Sequence, residues 1–181
     1  MNELINKTWD IKSLSDDEKV LLRSVAKDAT QTEMMMFLHY CNKLQLDPFR
    51  KQIYFIKYGT SVPAIVVGIE GFRSIAQRSG LLSGIQRGSL KDKDGNLVGA
   101  WAEVYRKDWQ KPARSEVELK EYNTGKSMWA KMPSVMIQKV AEVAALRMAF
   151  ADDMTGAYSH EEMDQAGINV ISDVVTNQEK D

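Results

Sequence analysis

The stretch from Trp129 to Phe150, W-A-K-M-P-S-V-M-I-Q-K-V-A-E-V-A-A-L-R-M-A-F, constrains the fold more than any other. It holds one proline, no glycine and only four charged residues, Lys131, Lys139, Glu142 and Arg147. It reads as one continuous helix. Pro133 fits the first turn, where a missing N–H costs nothing. At about 100° per residue, Met136, Ile137, Val140, Ala141, Val143, Ala144, Met148 and Ala151 share one broad arc. Gln138, Glu142 and Ala145 lie opposite, and Lys139 sits at the edge of the arc. Arg147 falls near its middle and needs an acceptor, because a buried charge that loses its partner costs about 3–5 kcal/mol. Two acceptors fit: a buried carboxylate of the fold, or the phosphate of a ligand at the floor of a groove.

Composition narrows the class. A chain of 181 residues with 44% apolar residues can build one domain with a real core. The single cysteine, Cys41, rules out an internal disulfide framework and fits a reducing compartment. The N-terminus carries Glu3 and Asp10 and lacks the apolar core of a signal peptide, and no apolar run reaches the roughly 18 residues of a membrane span. A cytoplasmic protein is expected. The net charge is −1, but it is unevenly spread. Residues 1–49 are net −2, the segment Arg50–Arg147 has 17 Lys+Arg against 9 Asp+Glu, and residues 148–181 are net −7. A basic middle with an acidic end suits a polyanion-binding core, or else a solvated mixed surface.

Taken in order, residues 1–14 show no sustained period and are expected to be loosely ordered. Ser15-Asp-Asp-Glu18 is a capping box and predicts a helix from Asp16 to Lys27, with Val20, Leu21, Leu22 and Val25 as its apolar side. Thr30-Gln-Thr-Glu33 repeats the pattern and opens a helix to Leu44, faced by Met34, Phe37, Leu38, Cys41 and Leu44. The methionines at 34–36 suit core and contact surface better than a metal site, and His39 has no ligand partner at useful spacing. Asp47-Pro48 is expected to stop that helix. Strands are predicted at Gln52–Tyr58 and Val62–Val67, followed by a short helix from Ile69 to Arg78 that ends at Gly80. Leu81–Leu90 and Val98–Arg106 form a hairpin around Asp94-Gly95, with Ala100, Ala102 and Val104 alternating with Trp101, Glu103 and Tyr105. Arg114–Tyr122 is a further strand, with Val117 and Leu119 on one face. Ser159-His-Glu-Glu162 caps one more short helix. The expected organisation is a loosely ordered stretch at 1–14, one α+β domain at 15–166 and a polar tail or linker at 167–181. Its fold is a small antiparallel β-sheet packed with helices, including one long C-terminal core helix.

Several chemical motifs fail on spacing. Gly125-Lys126-Ser127 matches the end of a phosphate loop, but the glycine required five residues earlier is Lys120. No CxxC or HxxEH-type pattern points to zinc. Glu70, Glu103 and Glu116 show no paired spacing for metal-dependent hydrolysis. The basic residues, by contrast, interleave with aromatics. Arg50, Lys51 and Lys57 flank Tyr54 and Tyr58, and Arg73 lies on the short helix. Arg106 and Lys107 sit between Tyr105 and Trp109, and Lys126 and Lys131 bracket Trp129. Cations that neutralise phosphates beside rings that stack on bases are what a sequence-tolerant single-strand binder needs. The candidate DNA-binding set is Arg50, Lys51, Lys57, Arg73, Arg106, Lys107, Lys126, Trp129, Lys131, Lys139 and Arg147, with no catalytic residue, metal or cofactor. Two other classes stay open: a magnesium-dependent nuclease, and a protein-interaction module that uses the Met34–Leu44 helix face.

The motifs Leu46-Asp-Pro-Phe-Arg-Lys-Gln-Ile-Tyr54, Val62-Pro63 through Gly68-Ile-Glu-Gly71-Phe72, Val104-Tyr-Arg-Lys-Asp108 and Trp129…Pro133…Met136…Ala145-Leu-Arg-Met-Ala-Phe150 occur in order. Over about residues 25–165 they resemble the phage Bet (Red beta) and RecT-type family of single-strand annealing proteins. The resemblance implies an ATP-independent annealing protein, not an enzyme, of phage or prophage homologous recombination in a bacterial cytoplasm. It implies a distantly Rad52-like core. It implies binding of single-stranded DNA in a basic groove of a ring or helical oligomer, and pairing to give an annealed duplex, with no membrane and no cofactor. By position, Lys51, Lys57, Arg106-Lys107 and Arg147 match basic positions of the family groove, and Trp129 matches a motif aromatic. Ser134 and Val140 stand where a phage member has lysines, with Lys131 and Lys139 nearby to take that role. Members carry a C-terminal region that binds a phage exonuclease and the host single-strand-binding protein. This chain ends at Asp181, so a short or truncated member is expected. Its acidic 148–181 segment either lies away from the groove or competes with DNA for it.

Overall fold

Local capping starts the first two helices. In the computed structural model, which describes residues 8–10 and 12–165, the Ser15 hydroxyl accepts from Glu18 N–H at 3.2 Å while the Glu18 carboxylate accepts from Ser15 N–H at 2.9 Å. This box opens α1 (Asp16–Val25). Thr30 and Glu33 repeat it at 3.3 and 2.8 Å and open α2 (Gln31–Leu44). All five residues expected to face inward from α2 are buried, but on α1 only Leu22 is; Val20 and Leu21 are exposed. α2 ends at Leu44, as expected, and its stop is built before Pro48. Gln45 turns left-handed at φ 52°, Leu46 N–H returns to the Cys41 carbonyl, and Asp47-Pro48 opens a new 3-10 turn, Pro48–Arg50. The described part of the N-terminal stretch is anchored. Trp9 N–H donates to Asn42 Oδ1 at 2.7 Å, and Asn42 Nδ2 donates back to the Trp9 carbonyl at 2.8 Å.

The described residues form two compact units, one up to Ile75 with Gly156–His160, the other Ala76–Thr155 with the residues from Glu161 onward. In the first, β1 (Ile53–Ile56) pairs antiparallel with β2 (Ala64–Val67), Ile53 opposite Val67. Both strands are shorter than their apolar runs. Phe37 of α2 meets Phe55 of β1 edge-on at 5.7 Å. A third helix, α3 (Ile69–Arg78), follows directly. Gly71 in its first turn lies so near the β1 approach that a Cβ there would sit 2.3 Å from the Gln52 carbonyl oxygen and 2.6 Å from Val67 Cγ1.

In the second unit, β3 (Leu82–Lys91), β4 (Leu97–Arg106) and β5 (Ala113–Glu118) form an antiparallel sheet in the order β3-β4-β5. The Asp-Gly hairpin is as expected: Gly95 takes φ 86°, and Asp92 Oδ1 accepts from the N–H groups of Asp94 and Asn96. Ala100, Ala102 and Val104 are fully buried, as the period-two pattern requires. The strand expected to run to Tyr122 stops at Glu118, and Leu119–Tyr122 forms a helical turn, α4. The single helix expected over 129–150 is two, α5 (Ser127–Lys131) and α6 (Pro133–Ala149). Proline disfavours the helical conformation in the residue before it, and Met132 sits at φ −140°, ψ 60° between the two helices. A last short helix, α7 (His160–Gln165), lies where the Ser159 cap signal places it. Of the stretch 1–14 expected to be loosely ordered, residues 1–7 and 11 fall outside the described residues, as does the polar tail expected at 167–181. Among the described residues no helix is long and apolar enough to cross a membrane.

The packing of α6 corrects the one-arc reading. Glu142 and Ala145, placed opposite the core by periodicity, are both completely buried, while Met148, placed on the core arc, is exposed. The helix is buried nearly all round. Its alanines let it lie close on the small side chains of β4, and Ser115 of β5 donates its hydroxyl to the Ala141 carbonyl at 2.5 Å. Glu142 therefore needs an internal partner. It accepts from Arg87 Nη1 of β3 at 2.8 Å. One turn apart along α6, Gln138 and Ser134 reach Ser89 of β3 at 2.9 and 2.7 Å, so a polar seam runs between helix and strand. Removing one member of a buried pair strands the other. Arg87→Met, which strands the fully buried Glu142 carboxylate, should lower stability by about 3–5 kcal/mol in urea unfolding, and Arg87→Met/Glu142→Leu should recover most of that loss.

Candidate nucleic-acid interface

The Leu46–Tyr54 motif builds one exposed basic and aromatic patch. Asp47 caps the 3-10 turn by accepting from Phe49 N–H at 2.8 Å, which turns Phe49 and Arg50 outward. Lys51 follows at φ 56° in the left-handed region, and its side chain is exposed. The turn is held from below by Gln52, a buried side chain whose Oε1 accepts from Asp47 N–H at 2.9 Å. Gly68 permits the closest approach: a Cβ there would lie 2.9 Å from Tyr54 Cε2 and 3.0 Å from the Lys51 carbonyl oxygen. The Tyr54 ring and the Lys51 backbone thus converge on Gly68. Phe49 and Tyr54 are each 40% exposed, and Trp9 supports Phe49 from 5.5 Å. Burial, and secondarily the Glu70 carboxylate, push the Tyr54 phenol up from its ordinary value, so it stays neutral and able to donate. Two exposed cations between two half-exposed rings can take a phosphate and the face of a base.

Most of the other expected cations serve the fold first. Lys57 Nζ lies 2.7 and 2.9 Å from the two oxygens of Glu33, and its side chain is only 9% exposed. Arg73 pairs with Glu70 one turn away at 2.9 Å. Arg106 is gripped by both oxygens of Asp108 at 2.9 and 2.7 Å, donates to the Ala149 carbonyl at the end of α6, and lies about 5 Å from the rings of Trp109 and Phe150. It closes the C-terminus of α6, where cations are favoured. Lys107 Nζ donates to the Gly80 carbonyl at 2.8 Å. Trp129, expected to stack on bases, is 7% exposed and packs in the core, while Lys126 and Lys131 on either side of it are exposed. Lys139 is half-buried on α6. Arg147 Nε sits 2.8 Å from Glu162 Oε1, an ion pair whose angle makes no hydrogen bond at Nε, so the charge beside it is a carboxylate of the chain itself. Ser134 and Val140 face the interior seam and the core, not an open groove.

Other groups escaped the sequence reading. On the sheet face away from α6, Trp101 lies flat over Gly88, whose Cβ would come 2.7 Å from the indole nitrogen. Arg114 stacks on that ring at 4.9 Å and is held by Glu103 and Glu116 at 2.7 and 2.6 Å. This arrangement depends on the register Gly88–Trp101–Glu116, which local pattern does not reveal. Burial pushes the Cys41 thiol up to about 12, which makes it a core residue and not a nucleophile. Among the described residues no three His, Cys, Asp or Glu side chains converge as metal ligands would.

The Glu33–Lys57 pair makes a pH prediction. Hydrogen bonding from Lys57, then from the Thr30 backbone, holds the Glu33 carboxyl below its ordinary 4.5. A depressed carboxyl stabilises above its unfolded value and loses that stabilisation as pH falls through the folded one. The urea midpoint should drop between about pH 6 and about pH 3, and Lys57→Gln should make that drop smaller.

Comparison with known proteins completes the picture. The sequence matches the RecT family over residues 12–176. It is also 32% identical over 135 residues to an uncharacterized protein of Ureaplasma parvum serovar 3 (strain ATCC 700970), an alignment that covers 71% of this chain and 59% of that protein. The chain thus spans less than two thirds of that relative's length. A family match across nearly the whole chain agrees with the ordered motifs at Leu46–Tyr54, Gly68–Phe72, Val104–Asp108 and Trp129–Phe150. The chain belongs to the RecT family of single-strand annealing proteins.

Proposed function

We propose that this protein anneals complementary single strands of DNA without ATP, and that it does so as an oligomer. The observation that carries the reading is the family match over residues 12–176. The exposed Arg50 and Lys51 beside Phe49 and Tyr54 support it physically. Cations on phosphate oxygens give affinity without sequence preference, and each phosphate neutralised makes binding steeper in salt. Rings that stack on a base leave its Watson–Crick edge open to a second strand, whose pairing then supplies all the specificity. Annealing is downhill once two strands are held side by side, so no nucleotide fuel and no covalent step are needed. A patch of two cations is small for one copy, and neighbouring copies along a strand would extend it. The C-terminal contacts to an exonuclease and to a host single-strand-binding protein belong to this proposal as well.

Pairing of a fluorophore-labelled and a quencher-labelled complementary oligonucleotide, with no ATP present, tests the reading. The protein should speed quenching at low salt, the gain should fade as salt rises, and Arg50→Gln/Lys51→Gln should abolish most of it while the circular-dichroism signal is kept. Pairing no faster than in the protein-free control, with folded protein at low salt, would refute it.

A further inference from the structure

Residues 148–165 carry five carboxylates, Asp152, Asp153, Glu161, Glu162 and Asp164, and no lysine or arginine. Two of these five face arginines that the basic middle of the chain supplies. Glu162 on α7 places Oε1 2.8 Å from Nε of Arg147, a contact that leaves the two side chains 33% and 27% exposed. Burial holds the Arg78 guanidinium below its ordinary value with the Asp153 charge opposing, and at Arg106 Asp153 adds a little to the raising effect of Asp108. The element that carries Glu162 is slight. It has six residues, fewer than an isolated helix needs for stability in water. Gln165 ties its far end to the Glu121 carbonyl through a 3.2 Å hydrogen bond. A carboxylate oxygen on a guanidinium has the geometry and charge of a phosphate oxygen in the same place.

We propose that α7 is an internal competitor for DNA: Glu162 occupies the Arg147 guanidinium in the free protein, and the phosphate of a single strand displaces it. The inference rests on the single-strand-binding reading above and adds Arg147 to it as a further phosphate contact, one that α7 guards. A contact that must be broken before the ligand enters lowers the apparent affinity by the fraction of molecules in which it is closed. Anything that lifts α7 from Arg147, including a partner that binds the acidic segment, then raises affinity without touching the DNA. The conspicuous acidic end of the chain thereby acquires a role that neither solubility nor packing assigns to it.

Fluorescence anisotropy of a fluorescein-labelled oligo-dT at fixed low salt tests this with the full chain. Glu162→Gln should bind about fivefold more tightly than wild type or better. Glu161→Gln, the same loss of charge one residue away, should gain far less. Adding Arg147→Gln to Glu162→Gln should remove the gain. If Glu162→Gln loses its folded circular-dichroism signal, Glu162→Asp, which keeps the charge but shortens its reach, takes its place with a smaller expected gain. Wild-type binding with no gain in the Glu162 variant, or an equal gain in the Glu161 variant, would overturn the inference alone. No binding of oligo-dT by wild type or any variant would overturn both this inference and the reading on which it rests, whereas binding by Glu162→Gln but not by wild type would be its strongest support.

Discussion

A carboxylate with no exposure to solvent sits in the middle of the longest helix, and the packing of the second unit depends on how it is satisfied. Glu142 lies fully buried in α6, where Arg87 of β3 reaches it at 2.8 Å. That pair fixes which side of the helix meets which strand. Ser134 and Gln138 continue the same seam along Ser89, and Ser115 locks the helix from β5. The apolar packing around it, α6 on β4 with Ala100, Ala102, Val104, Ala141 and Ala145 all buried, would tolerate several offsets of small side chain against small side chain. A single polar seam does not, because sliding the helix by one turn would leave a buried charge unpaired.

The same economy governs the cations. Charge counting finds a strongly basic middle, yet Lys57, Arg106 and Arg147 each meet a carboxylate of the chain within 3 Å. What is left facing outward is smaller and more localised than the net charge suggests. Lysines such as Lys126 and Lys131 also face outward, but Arg50 and Lys51 meet exposed rings where backbone geometry forces it: a capped 3-10 turn, a left-handed lysine, and two glycines that let α3 and Tyr54 close on the turn from the other side. The Gly68-Ile-Glu-Gly71 motif, which is no nucleotide fingerprint, is explained by those close approaches.

What could be read from the sequence was local. Both capping boxes, the Asp-Gly hairpin, the buried face of α2 and the alternation in β4 rest on interactions within a few residues, and each is found where the pattern puts it. The ordered motifs likewise pointed to the family. The misreadings share a different cause. The break at Met132 is local too, but periodicity outweighed the proline rule there. The burial of Glu142, the withdrawal of Lys57 and Trp129 from the surface, and the Trp101–Arg114 stack all depend on partners far away in the chain. Helical phase can say that Arg147 needs a counter-charge, but it cannot say that the carboxylate beside it is Glu162.

The division between cations that hold the fold and cations that face a ligand is best tested by the slope of log affinity against log salt for single-stranded DNA, measured for wild type, Lys51→Gln and Lys57→Gln. Lys51→Gln should lose about 0.7 of a unit of slope with an unchanged melting temperature, while Lys57→Gln should keep the full slope and melt lower. An unchanged slope for Lys51→Gln, together with a reduced slope for Lys57→Gln, would contradict that division.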